Sequence, residues 1–253
     1  MLPHLRTIHK PAAPNEAVEL FRRPGVYPLY GGGASLIRTN RQEVEEVVDL
    51  TSIVPVRIDG GPGRLCSVGA GVTLQALGEV SSEMAAVIRV DAPETLRNSL
   101  TLGDVLLECD PNSLVLALLC GLNANLWGPD REPIAKDRGQ RSTSVEAWFG
   151  LTDEQRCQEL IFYVQFDWTS VHFALEKVAR TPADRPIVAA IGFVRPEEPP
   201  YAVLTGIADR PVRYREGITS AISDYRGSAE YRTAMAAIVS RRAIASAAAP
   251  AHP

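Results

Sequence analysis

The apolar residues in the first third of the chain occur in short runs separated by glycine-rich and proline-rich turns. Residues Pro14–Arg23 place their apolar side chains at helical spacing, with Asn15 as a candidate N-cap, and so predict a short helix. Thr73 is a suitable N-cap for another helix, because its hydroxyl can accept a hydrogen bond from a first-turn N–H group. Three apolar runs of strand length lie between these helices, at Tyr27–Tyr30, Val47–Leu50 and Leu65–Val68.

The middle of the chain lacks such a regular pattern. Residues Asp91–Leu107 show no sustained hydrophobic period and include Pro93 and Gly103. This composition predicts an ordered loop, and loops of this kind often carry binding residues. The next run, Leu114–Leu122, is apolar almost throughout and predicts a buried helix of roughly half the length needed to cross a bilayer. Residues Pro129–Arg141 are polar and charged, which predicts a solvated loop.

Beyond Asp153 the pattern changes to longer runs of β-type residues, followed by an alanine-rich helical stretch, Ser228–Ala248. The β-type runs are Leu160–Phe166, Ile187–Val194 and Tyr201–Ala208. A small sheet backed by a helix is therefore predicted here, which favours a second domain of the α+β type. We expect a mixed α/β (α+β) protein with two domains, residues 1–152 and 153–253.

Composition narrows the range of partners. The chain has 253 residues, of which 45% are hydrophobic and 22% are charged, as expected for a globular protein. Its net charge of −4 and its scattered Lys and Arg residues give no basic surface for nucleic acid. The N-terminal stretch lacks the apolar core of a signal peptide, and no apolar run is long enough to span a membrane. We expect a cytoplasmic protein without a nucleic-acid or membrane partner.

The thiols and imidazoles form no recognisable metal or nucleophile motif. The four cysteines are far apart, without a Cys-x-x-Cys pair, and His172 is the only histidine distant from both termini. No metal site and no Ser-His-Asp set is predicted, so catalytic residues stay unassigned. Asp104, Glu108 and Asp110 form a local acidic cluster that could support acid–base chemistry. Two glycine pairs, in Gly31–Gly33 and Gly69–Gly71, lack the third glycine of a Rossmann dinucleotide motif.

Two other motifs carry more information. Arg97-Asn98-Ser99-Leu100-Thr101-Leu102-Gly103 resembles the sequence Arg-Asn-x-x-Thr-x-Gly-Gly-Asn of the FAD-binding subunit of molybdenum hydroxylases, the xanthine dehydrogenase and carbon monoxide dehydrogenase group. Gly31-Gly32-Gly33-Ala34-Ser35-Leu36-Ile37 is similar to the family's Ala-Gly-Gly-His-Ser-Leu-Leu loop, with alanine at the histidine position. Weaker matches follow in the family's order at Val48–Leu50, Val68–Thr73, Trp148–Gly150, Glu159–Ile161, Lys177–Arg180 and Ser228–Arg232.

The resemblance implies a fold, a cofactor and partners. The fold would be a vanillyl-alcohol-oxidase-like (PCMH-type) FAD-binding domain of two subdomains divided near residue 55, followed by a small C-terminal domain. The flavin would pass electrons from an iron–sulfur subunit to an acceptor, while a molybdopterin subunit oxidises the substrate. The implied FAD-binding residues are Gly31, Gly32, Gly33, Ala34, Ser35, Leu36, Asn98, Thr101, Gly103 and Lys177.

Three residues depart from the family pattern. With no gap before Asp110-Pro111, Asp104 falls on the second glycine, Val105 on the asparagine and Leu114 on an aspartate that accepts hydrogen bonds from the cofactor. These departures motivate an alternative hypothesis of a flavin-free homologue. Such a homologue would be a structural subunit, or a non-redox enzyme that holds a small molecule in the vacated cleft. Restoring Gly, Asn and Asp at the three positions should then recover FAD binding.

Overall fold

The computed structural model describes residues 4–41, 43–129, 143–182, 184–215 and 221–249. The helices are α1 Pro14–Phe21, α2 Ala34–Arg38, α3 Leu74–Gly78, α4 Ser82–Asp91, α5 Glu94–Arg97, α6 Leu102–Glu108, α7 Leu114–Gly121, α8 Val145–Trp148, α9 Asp153–Cys157 and α10 Ala229–Ala248. The strands are β1 Thr7–His9, β2 Val26–Leu29, β3 Glu46–Asp49, β4 Ile58–Asp59, β5 Leu65–Gly69, β6 Asn125–Trp127, β7 Thr143–Ser144, β8 Tyr163–Asp167, β9 His172–Val178, β10 Val188–Arg195, β11 Glu198–Thr205 and β12 Val212–Arg213.

The N-terminal part is a three-stranded parallel sheet in the order β1-β3-β2. Parallel strands are usually covered on both faces, and the central strand β3 accordingly buries both Val47 and Val48 completely. Helix α1 packs on this sheet through Ala17 and Phe21. The predicted helix at Pro14–Arg23 and the predicted strands around Tyr27 and Val47 are thus confirmed.

A second sheet has the strand order β4-β5-β8-β6-β7. Its pairings are antiparallel, and β8 lies at the centre between β5 and β6. The prediction that Leu160–Phe166 belongs to the C-terminal sheet is therefore wrong. Strand length and composition fit either sheet, whereas burial of Val164 and Phe166 in the main core selects this one. The domain boundary at residue 153 stays a prediction, although this sheet takes a strand from beyond it.

The expected loop at Asp91–Leu107 is also wrong, because most of these residues lie in three helices, α4, α5 and α6. Helices α5 and α6 are too short to show a sustained hydrophobic period, and α4 and α6 each start at a side-chain N-cap. Ser81 accepts a hydrogen bond from the N–H of Met84, and Thr101 caps α6 in the same way. The predicted buried helix after Ser113 is confirmed, since every residue of α7 is buried.

The C-terminal sheet has the order β12-β11-β10-β9. One face of β10 joins the main core through Ile191 and Phe193, while Val188 and Ala190 on the other face pack beneath α10. A Cβ atom on Gly192 would lie 2.3 Å from the carbonyl carbon of Ala243, so the helix backbone approaches the strand closely. Strand β9 was not predicted, but the two β-type runs after Ile187 and the alanine-rich helix are confirmed.

No helix in the described part of the chain is long and apolar enough to cross a membrane. The solvated loop predicted at Pro129–Arg141 lies, apart from Pro129, outside the described residues.

Candidate functional site

The loop Gly31–Gly33, called the glycine loop below, connects β2 to α2. Gly33 is the N-cap residue of α2 and has a φ of +83°, a left-handed conformation that favours glycine. No atom lies within 4 Å of the position that a Cβ would take on Gly32 or Gly33. The next residues differ, because Ser35 and Leu36 are buried in the core and Ala34 is half-buried. The open face of this loop is therefore mainly backbone.

The segment Thr101–Gly103, called the threonine loop below, lies beside the glycine loop. The Thr101 hydroxyl accepts a hydrogen bond from the N–H of Asp104 at 3.2 Å. Asp104 Oδ2 in turn accepts from the Thr101 N–H at 3.0 Å and from the Thr101 hydroxyl at 2.8 Å. This is a capping box, in which both residues satisfy N–H groups at the start of α6. Asp104 thus has a local structural role that the sequence analysis missed, although the spacing Thr101-x-x-Asp104 is the sequence signature of a capping box.

The Asp104 carboxylate also reaches the glycine loop. A Cβ atom on Gly31 would lie 2.6 Å from Asp104 Oδ2 and 2.9 Å from the carbonyl oxygen of Ser99. Asp104 is only 1% exposed, and its Oδ1 has no hydrogen-bond partner among the described residues. The N–H groups of Gly31 and Tyr30 face the carboxylate and stabilise its charge. Neither N–H group forms a hydrogen bond with Oδ1. The first glycine of the loop is therefore in contact with a carboxylate of the protein itself.

Burial raises the pKa of the Asp104 carboxyl above its ordinary value, although the hydrogen bonds from Thr101 oppose that shift. The phenols of Tyr27 and Tyr30 face the same group and carry no charge in acid, because the ordinary pKa of a phenol is already about 10 and burial raises it further. At a pH between the ordinary and the raised pKa of Asp104, the folded protein holds a proton that the unfolded chain has released. Rising pH across this window therefore destabilises the folded state.

We expect the unfolding free energy of the native protein, relative to Asp104→Asn, to fall as the pH rises above about 4. The slope is at most about 1.4 kcal/mol per pH unit, and the difference becomes constant once Asp104 is ionised in both states. Denaturant unfolding of both proteins at several pH values, from about 4 to about 8, measures this change in unfolding free energy. A native-minus-variant difference in unfolding free energy that rises with pH would contradict the assigned burial effect.

Gly103 is fixed by packing within the protein. A Cβ on Gly103 would lie 2.4 Å from Cγ and Cδ1 of the Tyr30 ring and 2.9 Å from its Cβ. The Tyr30 hydroxyl accepts a hydrogen bond from the N–H of Ile161 at 2.8 Å. Tyr30 directly precedes the glycine loop, so Gly103 lets the two loops approach each other closely.

Val105 and Leu114, the other two departures, are both buried in the core. Val105 lines a narrow crevice together with Arg38, Leu74, Asp91, Leu100 and Arg185. The space left in this Val105 crevice is about 20 Å³, room for about one water molecule.

Two ion pairs cross the edges of the Val105 crevice. Arg38 Nε donates to Glu108 Oε1 at 3.0 Å, and Arg185 Nη2 donates to Asp110 Oδ2 at 2.5 Å. Both arginine side chains are more than a third exposed. Two members of the acidic cluster are therefore engaged with arginines, whereas Asp104 is held by Thr101.

Asp91 was missed by sequence reasoning. Its Oδ1 accepts from the N–H of Leu114 at 2.7 Å, and its Oδ2 accepts from the Ser113 hydroxyl at 2.9 Å. A carboxylate from the end of α4 therefore caps the N-terminus of α7, next to Leu114, which the sequence analysis aligned with an aspartate of the family. The contact joins residues distant in sequence, so no local signal could have revealed it.

Lys177 and Asn98 lie outside these contacts. Lys177 is on β9, donates from Nζ to the carbonyl of Pro182 at 2.8 Å, and lines a cavity of about 470 Å³. The opposite wall of that cavity is α4, including Val90, the residue before Asp91. Asn98 is the exposed C-cap residue of α5. The structure brings the glycine and threonine loops together, and it places Lys177 beside a separate cavity that runs along α4 from Ser82 to Val90.

The remaining polar candidates form no second centre. Burial raises the pKa of the Cys66 thiol to about 11 and that of Cys120 to about 12, which makes both poor nucleophiles. Within the described ranges, no group of His, Cys, Asp or Glu side chains could hold a metal ion.

Comparison with known proteins gives consistent matches. A family model described as the FAD binding domain in molybdopterin dehydrogenase matches residues 4–166. The carbon monoxide dehydrogenase medium chain of Afipia carboxidovorans is 29% identical over an alignment of 292 positions, gaps included, that covers 96% of this chain and 97% of that protein.

Solved structures agree. A chain of the reconstituted CO dehydrogenase from Oligotropha carboxidovorans superposes with a TM-score of 0.77 at 25% identity, covering 98% of this chain and 99% of that chain. A chain of quinoline 2-oxidoreductase from Pseudomonas putida 86 superposes with a TM-score of 0.78, with 98% of each chain covered. At 21% identity, the latter match supports the fold alone.

Proposed function

Because the chain belongs to the family of FAD-binding domains in molybdopterin dehydrogenases, we propose that it is the electron-transferring flavin subunit of a molybdenum-hydroxylase-type oxidoreductase. FAD is the cofactor of this family, and the chain is accordingly a flavoprotein oxidoreductase subunit. The observation that carries the finer proposal is the family match together with a glycine loop whose backbone is open to a ligand.

The glycine loop suits the pyrophosphate of FAD. Glycines leave backbone N–H groups uncovered, and such groups surround anions in many phosphate sites. The open Cβ positions of Gly32 and Gly33 fit this role, and so does the left-handed Gly33. Side chains of Ser35 and Leu36 are buried, so these residues would contribute through the backbone alone.

The flavin ring would lie toward Lys177. The cavity beside Lys177 has a volume in the range of small-molecule sites, roughly 300–1,000 Å³. Val105 and Leu100 line the Val105 crevice, and the arginines at its edge would have to move outward for this crevice to admit part of a dinucleotide. Bound FAD would accept electrons from a neighbouring centre and pass them to an acceptor. The protein's part is to orient the flavin and exclude water.

Partner subunits would supply the other redox centres. The cysteines in the described residues are free and dispersed, and burial raises the pKa of all four thiols. An iron–sulfur cluster needs several thiolates at one place, so it would come from another chain. The relative from Afipia carboxidovorans is named as a medium chain, which supports assembly with an iron–sulfur and a molybdopterin subunit.

We also propose that the chain divides into two domains, residues 1–152 and residues 153–253.

Absorbance of the purified chain tests the proposal. We expect flavin bands near about 370 and 450 nm, either directly or after incubation with FAD and gel filtration. Co-expression with candidate iron–sulfur and molybdopterin subunits should then give a complex whose flavin is reduced by the substrate. A folded chain that takes up no FAD at any concentration tried would contradict the proposal and favour the flavin-free alternative.

A further inference from the structure

We propose that the Asp104 carboxylate is a built-in competitor of the FAD pyrophosphate at the glycine loop, so that this chain holds FAD weakly and exchanges it readily. The inference rests on the proposed function, because it concerns how strongly the same site binds its cofactor. It assigns Asp104 as the residue that sets FAD affinity.

The position of the carboxylate carries the first step. Asp104 Oδ2 lies beside Gly31, only 2.6 Å from the position that a Cβ on this glycine would take. The N–H groups of Gly31 and Tyr30 face this carboxylate, and so are directed toward an internal anion. At a pH above the raised pKa of Asp104, a pyrophosphate that approaches the loop therefore meets a negative charge at the end where β2 enters it.

The fixed orientation of the carboxylate carries the second step. Thr101 holds Asp104 Oδ2 through both its N–H and its hydroxyl, and α6 begins at this pair. A different rotamer would leave the Thr101 N–H without its partner in a buried place, so the carboxylate does not easily move away. Asp104 is therefore a permanent part of the loop environment.

The absence of a compensating cation carries the third step. No ion pair to Asp104 occurs within the described ranges of the chain, whereas Glu108 and Asp110 each have an arginine. The titratable groups that face Asp104 are the phenols of Tyr27 and Tyr30, and burial raises the pKa of both. A carboxylate about 5 Å from a phosphate, at an effective dielectric constant near 20, lowers affinity by about 100-fold.

Removal of the charge is the test. The dissociation constants of FAD, ADP and riboflavin are measured for the native chain, Asp104→Asn and Asp104→Gly, by fluorescence quenching for the flavins and calorimetry for ADP. We expect both variants to bind FAD and ADP about 10- to 100-fold more tightly than the native chain. Riboflavin, which has no phosphate, should bind all three proteins equally. The gain should shrink at high salt, because ions screen the repulsion.

The matched control is Asp59→Asn, which removes the same charge as Asp104→Asn. Asp59 lies on the edge strand β4 and forms an exposed ion pair with Arg57. It should leave all three affinities unchanged. Thermal unfolding of every variant verifies folding, and Asp104→Asn keeps an oxygen that can accept the Thr101 N–H if Asp104→Gly is unstable.

Three results would overturn the inference. The first is a native chain that already retains FAD as tightly as its folded Asp104 variants. The second is a variant that loses FAD or ADP affinity, and the third is an equal gain for riboflavin. Failure of the proposed function is distinguishable, since then neither the native chain nor any Asp104 variant would bind FAD.

Discussion

Replacement of Arg232 by methionine should lower the free energy of unfolding by about 3–5 kcal/mol. Arg232 lies on α10, is 2% exposed, and its guanidinium is surrounded by backbone carbonyls. Nη1 donates to the carbonyl of Ile187 at 2.8 Å and also to that of Gly206, while Nε donates to the carbonyl of Gly227 at 3.2 Å. Nη2 forms an ion pair with Asp224 Oδ1 at 2.6 Å.

Methionine preserves much of the side-chain volume but none of the donors. The two buried carbonyls of Ile187 and Gly206 would lose the Arg232 donor at once, and each unsatisfied buried group costs about 1–3 kcal/mol. The Asp224 carboxylate would lose its cation as well; hydrogen bonds and Arg232 hold the pKa of that carboxyl below its usual value. The side chain therefore joins α10 to the strand ends and turns of the C-terminal sheet.

Urea unfolding followed by circular dichroism measures this effect. Arg242→Met is the matched control, because Arg242 is exposed on the same helix, and it should change stability by less than about 0.5 kcal/mol. A loss below about 1 kcal/mol for Arg232→Met would mean that the carbonyls find water or other donors.

The sequence predicted the elements and the family better than it predicted the contacts. The glycine loop and the threonine loop were identified from a resemblance in short motifs, and the structure places them against each other through Gly31, Ser99 and Thr101. Several strands were predicted from their apolar or β-type runs, and the long helix α10 was predicted from its alanine-rich composition. These features depend on local sequence, which is why they could be predicted.

What was missed depends on short signals or on distant residues. Helices α5 and α6 are too short for hydrophobic periodicity, and their starts depend on single residues such as Thr101. The partners of Arg232 come from three separate segments, and Asp91 caps a helix distant in sequence. The capping box explains Asp104 structurally, but its contact with Gly31 is visible only after folding.

Replacement of Gly103 by alanine should destabilise the protein by about 3 kcal/mol, at the upper end of the usual cost of overpacking a core. The added Cβ would meet the Tyr30 ring at 2.4 Å on Cγ and Cδ1, close to where the ring joins the backbone. Rotation about the side-chain bonds cannot remove this collision, because the Tyr30 Cβ itself would be at 2.9 Å and the hydroxyl is held by Ile161. Either β2 or α6 must move.

Such a movement should also disturb the glycine loop, because Tyr30 and Gly31 are consecutive. We therefore expect Gly103→Ala to lose both stability and FAD affinity. Thermal unfolding and flavin fluorescence quenching measure the two effects on the same preparations. Unchanged stability would show that the core yields at Tyr30 without cost.

Gly32→Ala is the matched control for Gly103→Ala, since no atom lies within 4 Å of the added Cβ and Gly32 is exposed. It should change stability by less than about 1 kcal/mol. If the loop backbone contacts the pyrophosphate, the new methyl group should still reduce FAD affinity, because it covers the N–H groups that the ligand approaches. If Gly32→Ala loses FAD affinity but keeps its stability, Gly32 is the residue that contacts the cofactor. If Gly103→Ala loses both, Gly103 is the residue that holds the two loops together.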